Sequence, residues 1–289
     1  MPRRSQSKSA EPRARGATVP RGKVTVWVLG DQLSPRIASL EGLAPGECVV
    51  LMIESLERSR QFPYHKQKIA LVWSAMRHFA EELRSLGHVV DYHEASPDFA
   101  GALRAHARRF RPERVRLLET AEHGATAPLV KAARGAGLEV EVVANNLFIS
   151  DRAEFSRQAE GRKTLLLESF YRRMRRKTGL LMLDGEPAGG EWNYDRANRE
   201  RPPKGHVFPD IPRYRPDGTT RAVIETVSRT FPGHFGEIEE FAWPVTRDDA
   251  ERFLDDFLER RLDLFGPYED AIVHKLPEPP DTSLHRTAV

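Results

Sequence analysis

Residues 24–53 read VTVWVLGDQLSPRIASLEGLAPGECVVLMI, and the two ends of this stretch decide the fold. The runs at 24–29 and 48–53 are almost wholly apolar and rich in β-branched residues, with no polar alternation. Strands buried on both faces have that pattern, and they belong to parallel sheets covered by helices on either side. Three more runs follow at 88–92 (HVVDY), 114–118 (RVRLL) and 138–143 (LEVEVV). The first and last of these alternate more, which places them toward the sheet edges. Across 64–86, Ile69, Val72, Met76, Phe79, Leu83 and Leu86 step by threes and fours, one apolar stripe of a helix, and Gly87 stands where a C′ glycine would end it. Helices are also expected at 98–110 and 126–134. Strand alternating with helix at this spacing means βαβ units and one parallel sheet.

The rest of the chain reads outward from that sheet. The expected organisation is a basic tail (1–22), an α/β domain (23–150), a basic helix and linker (151–219), the start of a helical segment (220–272) and a Pro-rich polar end (273–289). Short helices are expected at 151–160, 163–178, 220–230 and 246–263, with a long Pro/Gly/Trp loop at 184–218. Apolar residues make up 39% of the chain and charged residues 30%, so parts of it stand outside any core. The tail carries Arg3, Arg4, Lys8, Arg13, Arg15 and Arg21 against Glu11 alone, more than the whole formal net charge of +3. It has no apolar run of a secretory signal; an unstructured extension and a transit peptide both stay open. The single cysteine, Cys48, excludes an internal disulfide, a Cys₄ zinc site and a four-cysteine iron–sulfur cluster, and makes a cytoplasmic location the default. No run is long and apolar enough for a membrane span.

In open parallel sheets ligands sit beyond the carboxyl ends of the strands at a switch point. That rule selects the loop after the first strand, Gly30-Asp31-Gln32-Leu33-Ser34, where glycine admits close backbone approach and Asp31 and Gln32 offer an acceptor and a donor. It also selects the loop after the second strand, with Glu54, Glu57 and Arg60, and the start of the next helix, with Tyr64, His65, Lys66 and Lys68. Carboxylates and amines together suit a planar heterocycle with several hydrogen-bonding edges. The plainer alternatives stay open: Asp31 bonding local turn amides, Glu54 and Glu57 forming a solvated rim. GDQLS matches neither the dinucleotide fingerprint nor the Walker A pattern.

Residues 162–177 (RKTLLLESFYRRMRRK) set seven cationic residues against Glu168. Arg172, Arg173, Arg175, Arg176 and Lys177 could meet phosphates weakly, or form a solvated face, or be spent in salt bridges to a domain this chain lacks. The run Trp192-Asn193-Tyr194-Asp195 either stacks on bases or pins the linker to the α/β domain. His88 and His93 are five apart on a strand and face opposite sides, so no metal set is expected. Cys48 reads as a buried, inert thiol.

Five stretches carry a family resemblance: LGDQLS (29–34), YHKQKIALVWSAMRHFAEELR (64–84), GRKTLLLESFYRRMRRKTGLLM (161–182), GGEWNYDRANR (189–199) and the region from FG-x-x-EEFAWPVTRDD to FGPYEDAI (235–272). Together they resemble the photolyase/cryptochrome family, in its bacterial iron–sulfur branch of photolyase-related proteins. The resemblance implies a five-stranded parallel Rossmann-like α/β antenna domain, a linker, and an incomplete all-helical segment. It implies 6,7-dimethyl-8-ribityllumazine as antenna chromophore, held at Asp31, Glu57 and Lys68 with Met52 and Val72 as apolar lining; Gly30 and Glu54 join this expected site from the strand-end rule alone. For the intact family it implies FAD and a [4Fe–4S] cluster, and light-dependent repair of UV-damaged DNA. The match fades after Ile272 without the cluster cysteines or flavin-binding helices. The expectation is therefore a truncated monomeric chain that retains mainly the antenna part, carries no catalytic residue and binds DNA only weakly. The alternative is a stand-alone chromophore-binding or blue-light-sensing module.

Overall fold

The computed structural model describes residues 24–204, 206–207 and 209–268; the expected basic tail and Pro-rich end lie outside the described residues. Strands β1 (Val24–Val28), β2 (Cys48–Ser55), β3 (Val89–Ser96), β4 (Arg114–Leu118) and β5 (Glu139–Val143) form one all-parallel sheet in the order β3-β2-β1-β4-β5. The two alternating runs occupy the two edges. The crossovers carry helices α1 (Leu56–Arg60) and α2 (Lys66–Ser85) after β2, α3 (Phe99–Phe110) after β3 and α4 (Thr126–Gly135) after β4.

The pleat sorts the strand side chains into two cores. Val24, Val26, Val28, Val50 and Met52 face α2, while Trp27, Leu51, Ile53, Val115 and Leu117 face α3 and α4. On α2 the buried stripe is Ile69, Trp73, Met76, Phe79, Ala80 and Leu83. Trp73 sits where the sequence reading placed Val72, because the helical period of 3.6 turns position 73 directly under Ile69. Val72 is left half-buried at the margin, and Leu86, counted in the expected stripe, is the exposed C-cap. Gly87 follows with φ +89, the left-handed conformation that ends a helix without a Cβ clash.

The later elements are α5 (Arg152–Ala159), α6 (Leu167–Thr178), β6 (Met182–Leu183), β7 (Glu186–Pro187), α7 (Gly218–Thr230), α8 (Arg247–Arg260) and α9 (Leu262–Tyr268). The β6–β7 hairpin lies where only loop was expected. Asp184 (φ 49) and Gly185 (φ 85) form its turn, and Asp-Gly is the pair that a tight hairpin of this kind favours. Helix α6 starts at Leu167 rather than 163, since Leu166 is extended and supplies no side-chain cap. Helix α7 packs along α2: Val223, Val227 and Phe231, then Ile238 and Phe241, are buried in the same core as β1, β2 and α2. Among the described residues, no helix is long and apolar enough to cross a membrane.

Candidate functional site

Strands β1 and β4 are neighbours whose connections run to opposite sides of the sheet, so their carboxyl ends form the switch point. A cavity of about 890 Å³ opens there, within the range of small-molecule sites. The loop after β1 supplies Gly30 and Asp31. Helix α1 and the loop after it supply Glu57, Arg58 and Tyr64. The first three turns of α2 supply Lys68, Val72, Trp73 and Met76, and the loop after β4 supplies Thr120, Glu122 and His123.

Each contributor is placed by local chemistry. Ser55 caps α1 by accepting from the Arg58 N–H at 3.2 Å, which sets Glu57 in the first turn over the strand ends. His65 caps α2: its Nδ1 accepts from the Gln67 N–H at 3.1 Å. Lys68 follows one turn later, its ammonium 4.9 Å from the centre of the Tyr64 ring. Gly30 lines the cavity and also has a packing role. A Cβ there would meet Val72 Cγ1 at 2.7 Å and Met76 Sδ at 3.1 Å, so glycine lets α2 close onto the end of β1. Across the mouth, Arg58 pairs with Glu122 at 2.5 Å and joins α1 to the loop after β4.

Most of the cavity's charge is uncommitted. Among the described residues, the side chains of Asp31, Glu57 and Lys68 make no hydrogen bond and no ion pair, and all three are exposed. They come from three different elements and stand around an apolar floor of Ile69, Val72, Trp73 and Met76. Asp31 therefore does not bond turn amides; the Leu29 N–H goes to Gln32 Oε1 instead, at 3.3 Å.

Two expected site residues are elsewhere. Met52 is fully buried in the core beneath α2, because the alternation of β2 turns position 52 inward. Glu54 is on the same face, 0% exposed, and fully engaged. Its carboxylate accepts from Arg77 Nε (2.7 Å) and Nη2 (3.1 Å), from the Tyr92 hydroxyl (2.7 Å) and from the Ala95 N–H (2.9 Å). Ala95 takes φ 42 beside a register shift in β3, which frees its amide for Glu54 instead of the ladder. Burial and then the Glu54 charge push the Tyr92 hydroxyl far above its usual range, so Tyr92 remains a donor.

A second polar chain lies at the opposite end of the strands. Thr25 Oγ1 is 2.7 Å from His106 Nε2, and His106 Nδ1 is 2.8 Å from Asp91 Oδ2. His93 Nε2 (3.1 Å) and Arg109 Nη1 (3.0 Å) also reach Asp91. The order hydroxyl, imidazole, carboxylate is that of a nucleophilic triad, but Thr25 and His106 are both fully buried, so no substrate reaches them.

A family model described as deoxyribodipyrimidine photo-lyase-related protein matches residues 26–243. The chain belongs to the photolyase-related family. A curated protein of Agrobacterium fabrum (strain C58 / ATCC 33970), named (6-4) photolyase, is 40% identical to it over 257 residues, which are 87% of this chain and 51% of that protein. The chain thus spans about half the length of the curated relative it matches.

In this photolyase-related chain the basic helix is largely committed internally. Arg173 (3.0 Å) and Lys177 (2.6 Å) both bind Glu154 on α5. Arg172 pairs with Glu168 at 2.8 Å. Arg175 is buried and donates to the Tyr171 hydroxyl and to the Leu180 and Leu181 carbonyls. Trp192 lies under three guanidinium groups, of Arg172 (5.4 Å), Arg175 (5.5 Å) and Arg176 (4.6 Å). It pins the linker to α6, whereas the sequence reading offered bases or the α/β domain. Among the described residues, no three His, Cys, Asp or Glu side chains form a metal group. Cys48 is buried, and desolvation pushes its thiol up to about 11. A four-cysteine cluster does not fit this chain. The loop after β4 went unread in the sequence, although the switch-point rule would have named it once strand order was known.

Proposed function

We propose that the cavity holds a planar heterocycle of the ribityllumazine class as a light-harvesting group. The chain would then be the antenna-bearing part of a photolyase-related system for light-dependent repair of UV-damaged DNA. One observation carries this: three side chains of mixed charge, Asp31, Glu57 and Lys68, stand unpaired around an apolar floor at the switch point. Elsewhere the chain pairs its buried charges closely, as at Glu54 and Asp91. Charges left free around one hollow suit a ligand with several donors and acceptors.

The residues fit such a ligand. Lys68 offers donors to ring carbonyls, and Asp31 and Glu57 offer acceptors to ring N–H groups or side-chain hydroxyls. Val72, Trp73 and Met76 offer apolar surface to a ring face. When bound, a ribityllumazine supplies absorption in the near-UV and violet. The (6-4) photolyase name of the Agrobacterium relative makes the (6-4) photoproduct the lesion to test first. FAD and the iron–sulfur cluster of the intact family are assigned to no residue of this chain.

The test is equilibrium dialysis of the purified chain against 6,7-dimethyl-8-ribityllumazine. Saturable one-to-one uptake with a shifted near-UV band is the expected result. A folded protein that takes up none contradicts the proposal.

A further inference from the structure

We infer that residues 231–243, after α7, position the first turn of α2 and so the cavity's free cation, Lys68, with Gly236 as the residue that makes this possible; the inference rests on the chromophore reading above.

The segment grips residues 60–67 from behind the cavity through a run of specific contacts. The Lys66 N–H donates to the Phe235 carbonyl at 3.0 Å. Gln67 Nε2 donates to the Glu237 carbonyl at 2.8 Å, and Gln67 Oε1 accepts from Trp243 Nε1 at 2.8 Å. His234 Nδ1 donates to the Tyr64 carbonyl at 3.0 Å. The Arg60 guanidinium lies 5.6 Å from the centre of the Phe231 ring, and Phe231 is itself anchored edge-on against Trp73 of the cavity floor. Apart from the Phe231–Trp73 contact, these fall on the short stretch that carries Tyr64 into the cavity wall and leads to Lys68.

His65 is the pivot. Its Nδ1 caps α2 through the Gln67 N–H, and its carbonyl accepts from the Lys68 N–H at 3.0 Å. The other side of its ring lies against residue 236, and a Cβ there would fall inside the imidazole. Gly236 also has φ +88, a conformation only glycine adopts without strain. Any side chain at 236 therefore drives the imidazole away, and the α2 cap leaves with it. The first turn that carries Lys68 then loses its fixed geometry. The lumazine ligand and the 231–243 segment are thus coupled through one residue pair, and the coupling runs both ways.

The test uses the full chain with Gly236→Ala, His65→Asn and the double variant. Asparagine caps a helix well and leaves free the space that the imidazole fills. Two quantities are read: amide hydrogen exchange at residues 67–69, and affinity for 6,7-dimethyl-8-ribityllumazine. Gly236→Ala should speed exchange at 67–69, leave β1 and β2 protected, and weaken binding by about five- to tenfold, the size of a lost cap. Adding His65→Asn should restore both. Wild-type exchange and affinity in Gly236→Ala would overturn the inference, as would a double variant that recovers neither. If the unaltered chain binds no ribityllumazine, the chromophore reading falls by itself, and the exchange measurements alone decide the positioning role.

Discussion

Glu54 and Glu57 are three residues apart at the end of the same strand, and they have opposite fates. Glu54, the last inward-facing side chain of β2, is sealed in with Arg77, Tyr92 and the Ala95 amide. Glu57, one helical turn further, stands in an open cavity with no partner among the described residues. On the proposed function, the contrast separates charge used for folding from charge held ready for a ligand. A buried carboxylate is stable only when every lone pair is met. An exposed one that faces an apolar hollow costs little while free and gains a partner when the hollow fills. The same contrast divides the cationic residues: Arg77 belongs to the fold and Lys68 to the cavity.

The comparison breaks most visibly at Glu54. Glu54→Gln removes the buried anion of Arg77, itself mostly buried, and leaves it only the exposed Glu94 at 3.1 Å; the unfolding free energy should fall by up to about 3–5 kcal/mol, read from urea denaturation. The folded fraction should still take up ribityllumazine, because Glu54 does not line the cavity. A stable variant that loses the ligand would reverse the assignment.

Asp91 gives the next largest effect. Burial alone would raise its carboxyl, but hydrogen bonds from His106 and His93, together with their charge, outweigh burial and hold it well below the usual carboxylate range. The folded value is thus depressed below the unfolded value of about 3.9. Its contribution is fully present above about pH 4 and is lost as pH falls toward the folded value. Acid should cost the chain about 2–3 kcal/mol through this group, and Asp91→Asn should flatten that acid limb. An acid limb of the same depth in Asp91→Asn would show that the stability resides elsewhere.

At the cavity the order of effects is inverted. Glu57→Ala and Lys68→Ala should each weaken ligand binding by about 1–3 kcal/mol while moving the denaturation midpoint little, since neither side chain makes a hydrogen bond or ion pair and Lys68 gives up only its contact with the Tyr64 ring. The smallest effect is expected on α6. Arg176 is exposed and stacks on Trp192, and among the described residues its side chain has no ion partner. On the expectation of a weak, salt-sensitive, lesion-blind DNA contact through α6, Arg176→Ala should reduce that affinity by a few-fold in a salt-titrated binding assay. Arg173→Ala should also loosen α5 from α6, because Arg173 holds Glu154.

The sheet was legible because its signal is local. Runs such as VTVWVL and CVVLMI state burial on both faces, and the alternation in HVVDY and LEVEVV marked the edges that the topology shows. The site was legible only in part. Strand order cannot be read from periodicity, so the loop after β4, with Thr120, Glu122 and His123, was not placed beside Asp31. Position alone could not tell Glu54 from Glu57, since the difference lies in partners 23 and 41 residues away, Arg77 and Ala95. Nor did the sequence show that residues 231–243 return to hold the start of α2, a contact about 170 residues distant in the chain. The Asp184-Gly185 turn is a local hairpin signal set at the edge of a stretch rich in glycine and proline, whose many turn residues mask it.

The most direct test of the central claim is a map of amide chemical shifts in the ¹⁵N-labelled chain as 6,7-dimethyl-8-ribityllumazine is added. Shifts should move at Gly30, Asp31, Glu57, Lys68 and the 120–124 loop, and stay still at Arg77, Asp91 and His106. A spectrum that does not change, or changes confined to residues away from the ends of β1 and β4, would contradict it.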